Sequence, residues 1–116
     1  MPVRSLSSAV LKWPDRATVA AALAEWATAT RARTAAVLRV GYFGSYASGR
    51  PGPGSDIDVV MVITSSPTPF ERRASEWNLT RLPVPADLLV YTREEWEHLP
   101  QESRLTRVLK TETVWV

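Results

Sequence analysis

The chain has 116 residues, with 14 Lys and Arg against 12 Asp and Glu, a single histidine (His98) and no cysteine. That length makes one domain, and the missing cysteines exclude a disulfide framework, a thiolate nucleophile and a Cys-based zinc centre, while one histidine excludes a two-histidine metal cluster within a chain. No apolar run approaches the roughly 20 residues that cross a bilayer and the N-terminus has no signal-peptide core, so the expectation is a cytoplasmic protein.

Residues 1–14 mix Ser, Pro and Val without a period and read as an irregular lead-in. Asp15 is placed to cap a helix over about 16–37, in which Val19, Leu23, Trp26 and Thr30 recur at steps of three and four. A short apolar strand is predicted from Leu38 to Phe43, with Gly41 and Gly44 keeping side chains away from anything that approaches the backbone. The Gly-Arg-Pro-Gly-Pro-Gly run at 49–54 reads as a loop stiffened by Pro51 and Pro53. Ile57 to Ile63 is nearly all apolar, as a buried strand requires.

Thr68-Pro69-Phe70-Glu71 reads as a capping box with Pro at the first helical position, opening a helix whose one face carries Phe70, Ala74 and Trp77. Asp87 to Tyr91 is a third strand. Thr92-Arg93-Glu94-Glu95 is a second capping box, starting a short helix through about Leu99 that Pro100 stops. Leu105, Val108 and Leu109 mark one more helix, and Val114 to Val116 a last strand. The order predicts an α/β (α+β) fold, a small mixed β-sheet flanked by helices. Most of the arginines Arg31, Arg33, Arg72, Arg73, Arg104 and Arg107 read as solvated helix faces, and His98 as a surface residue at a helix end.

The chemistry-bearing residues gather around the second strand. Asp56 and Asp58 are two apart at its start, so both carboxylates project from one face. Like charges held that close repel, and the apolar neighbours Ile57, Val59, Val60 and Met61 make an unpaired pair costlier. A hard divalent cation bound through oxygen resolves the conflict. Asp87 opens the apolar run Leu88-Leu89-Val90-Tyr91, so a neighbouring third strand brings a third carboxylate to the same edge. Three carboxylates suit a pair of metals roughly 3.5–4 Å apart and in-line displacement at phosphorus. Gly44-Ser45 follows the first strand and leads Tyr46-Ala47-Ser48-Gly49 into a helical turn, whose free N–H groups attract an anion. Each part also has a bland reading: Asp-x-Asp as a solvated turn, Gly-Ser as a helix cap, Asp87 as a strand-start residue facing water. Their order and spacing are more specific than any one of them.

Gly44-Ser45, then ten residues, then Asp56-Ile57-Asp58 resembles the signature of the minimal nucleotidyltransferases of the DNA polymerase β superfamily, and Ala86 to Thr92 resembles that family's third-aspartate strand. The likeness covers about residues 38–98 and implies a single nucleotidyltransferase domain over 15–116 with the polymerase-β-type fold. It implies that Asp56 and Asp58 ligate two Mg²⁺ ions (or Mn²⁺), that Asp87 ligates the one beside the acceptor hydroxyl, and that Gly44 and Ser45 hold the phosphates of a nucleoside triphosphate. Where related motifs often carry a basic residue, this chain has Ser48, with Arg50 close by.

Larger members of that superfamily hold the acceptor on extra domains, and this chain has little room for one. The resemblance to the antitoxin half of HEPN–nucleotidyltransferase modules implies a hetero-oligomer in which AMP passes from ATP to a tyrosine of a HEPN-domain toxin. Two alternatives stand beside it: an antitoxin that neutralises by contact alone, anchored by some of Trp13, Trp26, Trp77, Trp96 and Trp115, and transfer to a small hydroxylated molecule such as an aminoglycoside. Direct nucleic-acid binding is not expected, since no aromatic-interleaved basic stripe is evident, and Tyr42 or Tyr46 is expected near the nucleotide base.

Overall fold

The computed structural model describes residues 14–51 and 55–116; residues 1–13 of the irregular lead-in, Trp13 among them, fall outside these, as do residues 52–54 of the Pro/Gly loop. In chain order the elements are α1 (Arg16–Arg33), β1 (Val37–Phe43), α2 (Ser45–Ser48), β2 (Ile57–Ile63), α3 (Phe70–Arg73) continued by a 3₁₀ turn (Ala74–Glu76), β3 (Ala86–Thr92), α4 (Arg93–Glu97), α5 (Arg104–Thr111) and β4 (Val114–Trp115). They build the small mixed sheet with flanking helices that the sequence predicts. Its order is β3-β2-β1-β4, with β2 and β3 parallel and β1 antiparallel to both β2 and β4. Among the described residues, no helix is long and apolar enough to cross a membrane.

Strand alternation sorts the core onto two faces of the sheet. Ile57, Val59, Met61 and Ile63 of β2 pack with Val19, Leu23 and Ala27 of α1. Val60 and Val62, one step out of phase, pack with Tyr91, Trp96 and Leu109. Gly41 serves this second face, because a Cβ there would stand 2.8 Å from the Trp115 ring and as close to the Val114 carbonyl. Without a side chain at 41, β4 closes onto β1 and Trp115 lies over it.

Several boundaries differ from the sequence reading, each for a local reason. The first helix stops at Arg33 and not near Val37. Thr34 turns extended (φ −148°), still donates its N–H to the Thr30 carbonyl, and accepts the Ala36 N–H on its hydroxyl at 3.2 Å. A threonine side chain offering the backbone that alternative ends a helix. The capping box at Thr68 does not form: the Thr68 hydroxyl donates to Glu76 at 2.7 Å, and Pro69 is the N-cap with no side-chain bond. The helix lasts one turn, so Phe70 and Trp77 do not share a face; Phe70 stacks on Tyr91 at 5.0 Å, while Trp77 packs in the α1-side core. At Thr92 the box is complete: its hydroxyl accepts from Glu95 N–H, and the Glu95 carboxylate accepts from Thr92 N–H at 2.9 Å.

Arg73 overturns its reading as a solvated residue. It is buried, and its guanidinium donates to the Thr68 and Val90 carbonyls and, in a two-pronged pair, to the Glu95 carboxylate at 2.5 and 3.0 Å. His98 sits at the C-cap of α4, exposed, its Nδ1 2.8 Å from the Glu94 carbonyl.

Candidate active site

Parallel pairing of β2 with β3 puts Asp58 directly beside Asp87 in register. Asp56 lies two residues before Asp58, just ahead of the strand, and therefore on the same side of the sheet. On its other flank Asp58 pairs with Phe43, the last residue of β1, which runs into Gly44. Asp58 is half-buried, whereas Asp56 and Asp87 are exposed. Burial, and then the charges of Asp87 and Asp56, push the Asp58 carboxyl above its ordinary value. The three groups thus feel one another, although no three acidic or imidazole side chains among the described residues are grouped closely enough to hold a metal ion. Like charges repel, and the two exposed members are free to point outward.

Gly44 is where the backbone meets this carboxylate. It has φ 72° and ψ −145°, a conformation open essentially to glycine alone. A Cβ there would also collide with Asp58 Oδ2. Ser45 starts α2, whose C-cap Gly49 is left-handed (φ 85°). As the first residues of a helical turn, Ser45 and Tyr46 have N–H groups with no carbonyl one turn back. The Gly44 carbonyl accepts from Ala47 and Ser48, and the Ser48 hydroxyl turns back to the Ser45 carbonyl at 3.1 Å.

Two residues brace this turn in ways the sequence did not reveal. Tyr46 is buried in the core, and its hydroxyl donates to the Ser55 carbonyl at 3.2 Å, tying the start of the loop to the residue before Asp56. Arg16, in the first turn of α1, donates its Nε–H to the Tyr46 carbonyl at 2.6 Å. Tyr42 and Tyr46 both belong to the core packed under α1, whereas Asp58 lies on the other face of the sheet. A hydroxyl at the far side of a loop, or an arginine thirty residues upstream, leaves no periodic mark in the sequence.

The donor set is all oxygen, and a half-buried carboxylate flanked by two others is relieved by a hard divalent cation. An anion brought to the Gly44–Ser45 turn would therefore find open N–H groups on one side and a cation-attracting edge on the other. Comparison with curated proteins found no match for the chain. The family model described as "Nucleotidyltransferase domain" matches residues 25–116, a span that takes in the Gly44-Ser45 turn and both aspartate-bearing strands. With that match over most of its length, the chain belongs to the nucleotidyltransferase domain family, and it is a transferase of nucleotidyl groups.

Proposed function

We propose that the protein transfers AMP from ATP to a hydroxyl of a protein acceptor, a tyrosine of a HEPN-domain toxin, and silences that toxin by modifying it. The observation that carries the transfer is the pairing of Asp58 with Asp87 beside the side-chain-free backbone of Gly44. Asp56 and Asp58 are assigned to hold two Mg²⁺ ions and Asp87 to share the one on the acceptor side. Bound divalent metal supplies positive charge that offsets the negative charge growing on the phosphate oxygens and the leaving pyrophosphate. The N–H groups of Ser45 and Tyr46 and the Ser45 hydroxyl orient the triphosphate tail. Gly44 keeps the path between that tail and Asp58 clear. Asp87, exposed on the outermost of the aspartate strands, receives the proton of the attacking hydroxyl.

The test is to incubate the purified protein with ATP, Mg²⁺ and a HEPN-domain protein encoded beside it, and to weigh both proteins by mass spectrometry. Addition of AMP units to a partner tyrosine, abolished by Asp58→Asn, is expected. An unmodified partner, inhibited equally well by wild-type protein and by Asp58→Asn, would mean neutralisation by contact alone.

A further inference from the structure

Among the described residues β3 is an edge strand, with β2 on one side and no strand on the other. The Ile57 N–H donates to the Pro85 carbonyl, and Ile57 is in register with Ala86. In a parallel ladder this fixes which backbone groups face β2: those of residues 85, 87, 89 and 91. The N–H and C=O of Ala86, Leu88 and Val90 face the open edge. Among the described residues only the Val90 carbonyl is used there, by the Arg73 guanidinium at 3.1 Å. The open stretch therefore runs from Ala86 to Leu88, and Asp87 is its middle residue.

Along that stretch lies a cleft of about 800 Å³, lined by Trp77, Leu79, Leu82, Pro83, Asp87 and Leu88 among others. Among the described residues Asp87 is the sole charged one on its walls. The Trp77 indole N–H is buried without an acceptor among the described residues. Unpaired strand groups beside an apolar wall make a template for a further strand. An amino-sugar or a nucleic-acid strand would find little here, since both need many polar partners or cations.

From this arrangement we infer that the acceptor is an extended polypeptide segment that adds as a strand to the Ala86–Leu88 edge, with alternate apolar side chains in the cleft and its hydroxyl delivered at Asp87. The inference rests on the nucleotidyl-transfer reading and specifies how the acceptor is held. The hydroxyl oxygen forms the new bond to the α-phosphorus, the bond from that phosphorus to the pyrophosphate oxygen breaks, pyrophosphate leaves, and the hydroxyl proton passes to Asp87. Main-chain pairing supplies affinity, and the cleft selects side chains two apart in the segment.

The experiment uses the full chain with Mg²⁺ and ATP labelled at the α-phosphate. Its acceptors are a twelve-residue peptide array carrying single Tyr, Ser or Thr residues, an aminoglycoside mixture and single-stranded oligonucleotides. Label on peptides with apolar residues one and three positions from the hydroxyl is expected, because the cleft lies on the α1 side of the sheet and Asp87 on the other. Leu88→Pro removes an outward N–H without breaking a bond to β2, and Pro83→Glu puts a charge on the cleft wall. Each is expected to raise the peptide KM at least tenfold, with a cooperative thermal melt showing that the variant is folded. Unchanged peptide KM in both variants, label without the alternating pattern, or label confined to sugars or oligonucleotides overturns the inference. ATP bound but no peptide labelled overturns it while leaving the transfer chemistry standing. Failure to bind ATP at all, read by calorimetry, removes the transfer reading beneath it.

Discussion

Gly44 and Asp58 are a coupled pair, and each constrains the other for a different reason. Gly44 is needed for its backbone angles and because any side chain would meet Asp58 Oδ2. Gly44→Ala is expected to cost roughly 1–3 kcal/mol from backbone strain alone, read as a lower midpoint in urea, and to displace the carboxylate it strikes. Transfer activity should fall further than stability, since catalytic geometry tolerates less movement than folding does. Asp58→Asn moves the two quantities in opposite directions. The carboxyl at 58 is held above its usual range by burial and by Asp87 and Asp56, so its charged form is disfavoured in the folded protein. A neutral amide of the same shape removes that conflict, and the metal-free variant is expected to be more stable than wild type. Transfer should drop by about a hundredfold or more, because one of the groups assigned to offset developing charge is gone. An Asp58→Asn protein that is less stable than wild type without metal would contradict this account of the site.

Among the elements, the one-turn helix α3 stands out as held from outside. Its N-cap Pro69 makes no side-chain capping bond, and its anchor is Arg73, which joins it to the Val90 carbonyl on β3 and to Glu95 on α4. The Arg73 guanidinium beside it, with the Thr92 N–H, lowers the Glu95 carboxyl to about 2. A carboxyl lowered on folding stabilises the protein above its unfolded value of 4.5, and that contribution fades as pH falls toward 2. The Glu95 side chain is 41% exposed, so solvent screening reduces its worth well below what the shift alone implies. Glu95→Ala should still cost about 1–3 kcal/mol near neutral pH, because the buried guanidinium loses its charged partner and Thr92 loses half its box. The gap between variant and wild type is expected to narrow between pH 4.5 and pH 2 in urea titrations; a constant gap would place the effect in packing. Of these elements the sequence disclosed β2 and β3, whose apolar runs mark them as strands, and the Thr92 box, whose partners are three residues apart. It misled at Thr68, where the same local pattern was overridden by Glu76 and Arg73. It was silent on Arg73 itself, since a partner twenty-two residues away leaves no trace in spacing. The neighbourhood of Asp58 and Asp87 was legible in outline, because two apolar strands each opening on aspartate have few ways to pair; the bracing of the turn by Arg16 and Tyr46 was not.

At the scale of the whole molecule, one sheet carries both the stability and the site. Val60, Val62 and their partners pack on the face that Asp58 shares, so charge at the strand start is set against apolar burial a few residues on. A domain of this size has only a modest margin of stability, and anything that binds the folded state alone adds to it by mass action. Divalent cation with ATP should do so through the carboxylates and the Gly44–Ser45 turn, both of which exist only when β1, β2 and β3 are assembled. At a hundredfold excess over the dissociation constant the gain is about 2.7 kcal/mol, which for a chain of this length corresponds to a melting temperature raised by roughly 10 °C. ATP with a chelator should give little of that rise, because the triphosphate then meets three aspartates without an intervening cation. Asp58→Asn, although more stable than wild type without ligand, should rise less when Mg²⁺ and ATP are added. Parallel thermal melts of the two proteins, with and without Mg²⁺–ATP, therefore separate ligand linkage from intrinsic stability. Equal rises in both proteins would show that nucleotide and cation bind somewhere other than the edge formed by Asp56, Asp58 and Asp87.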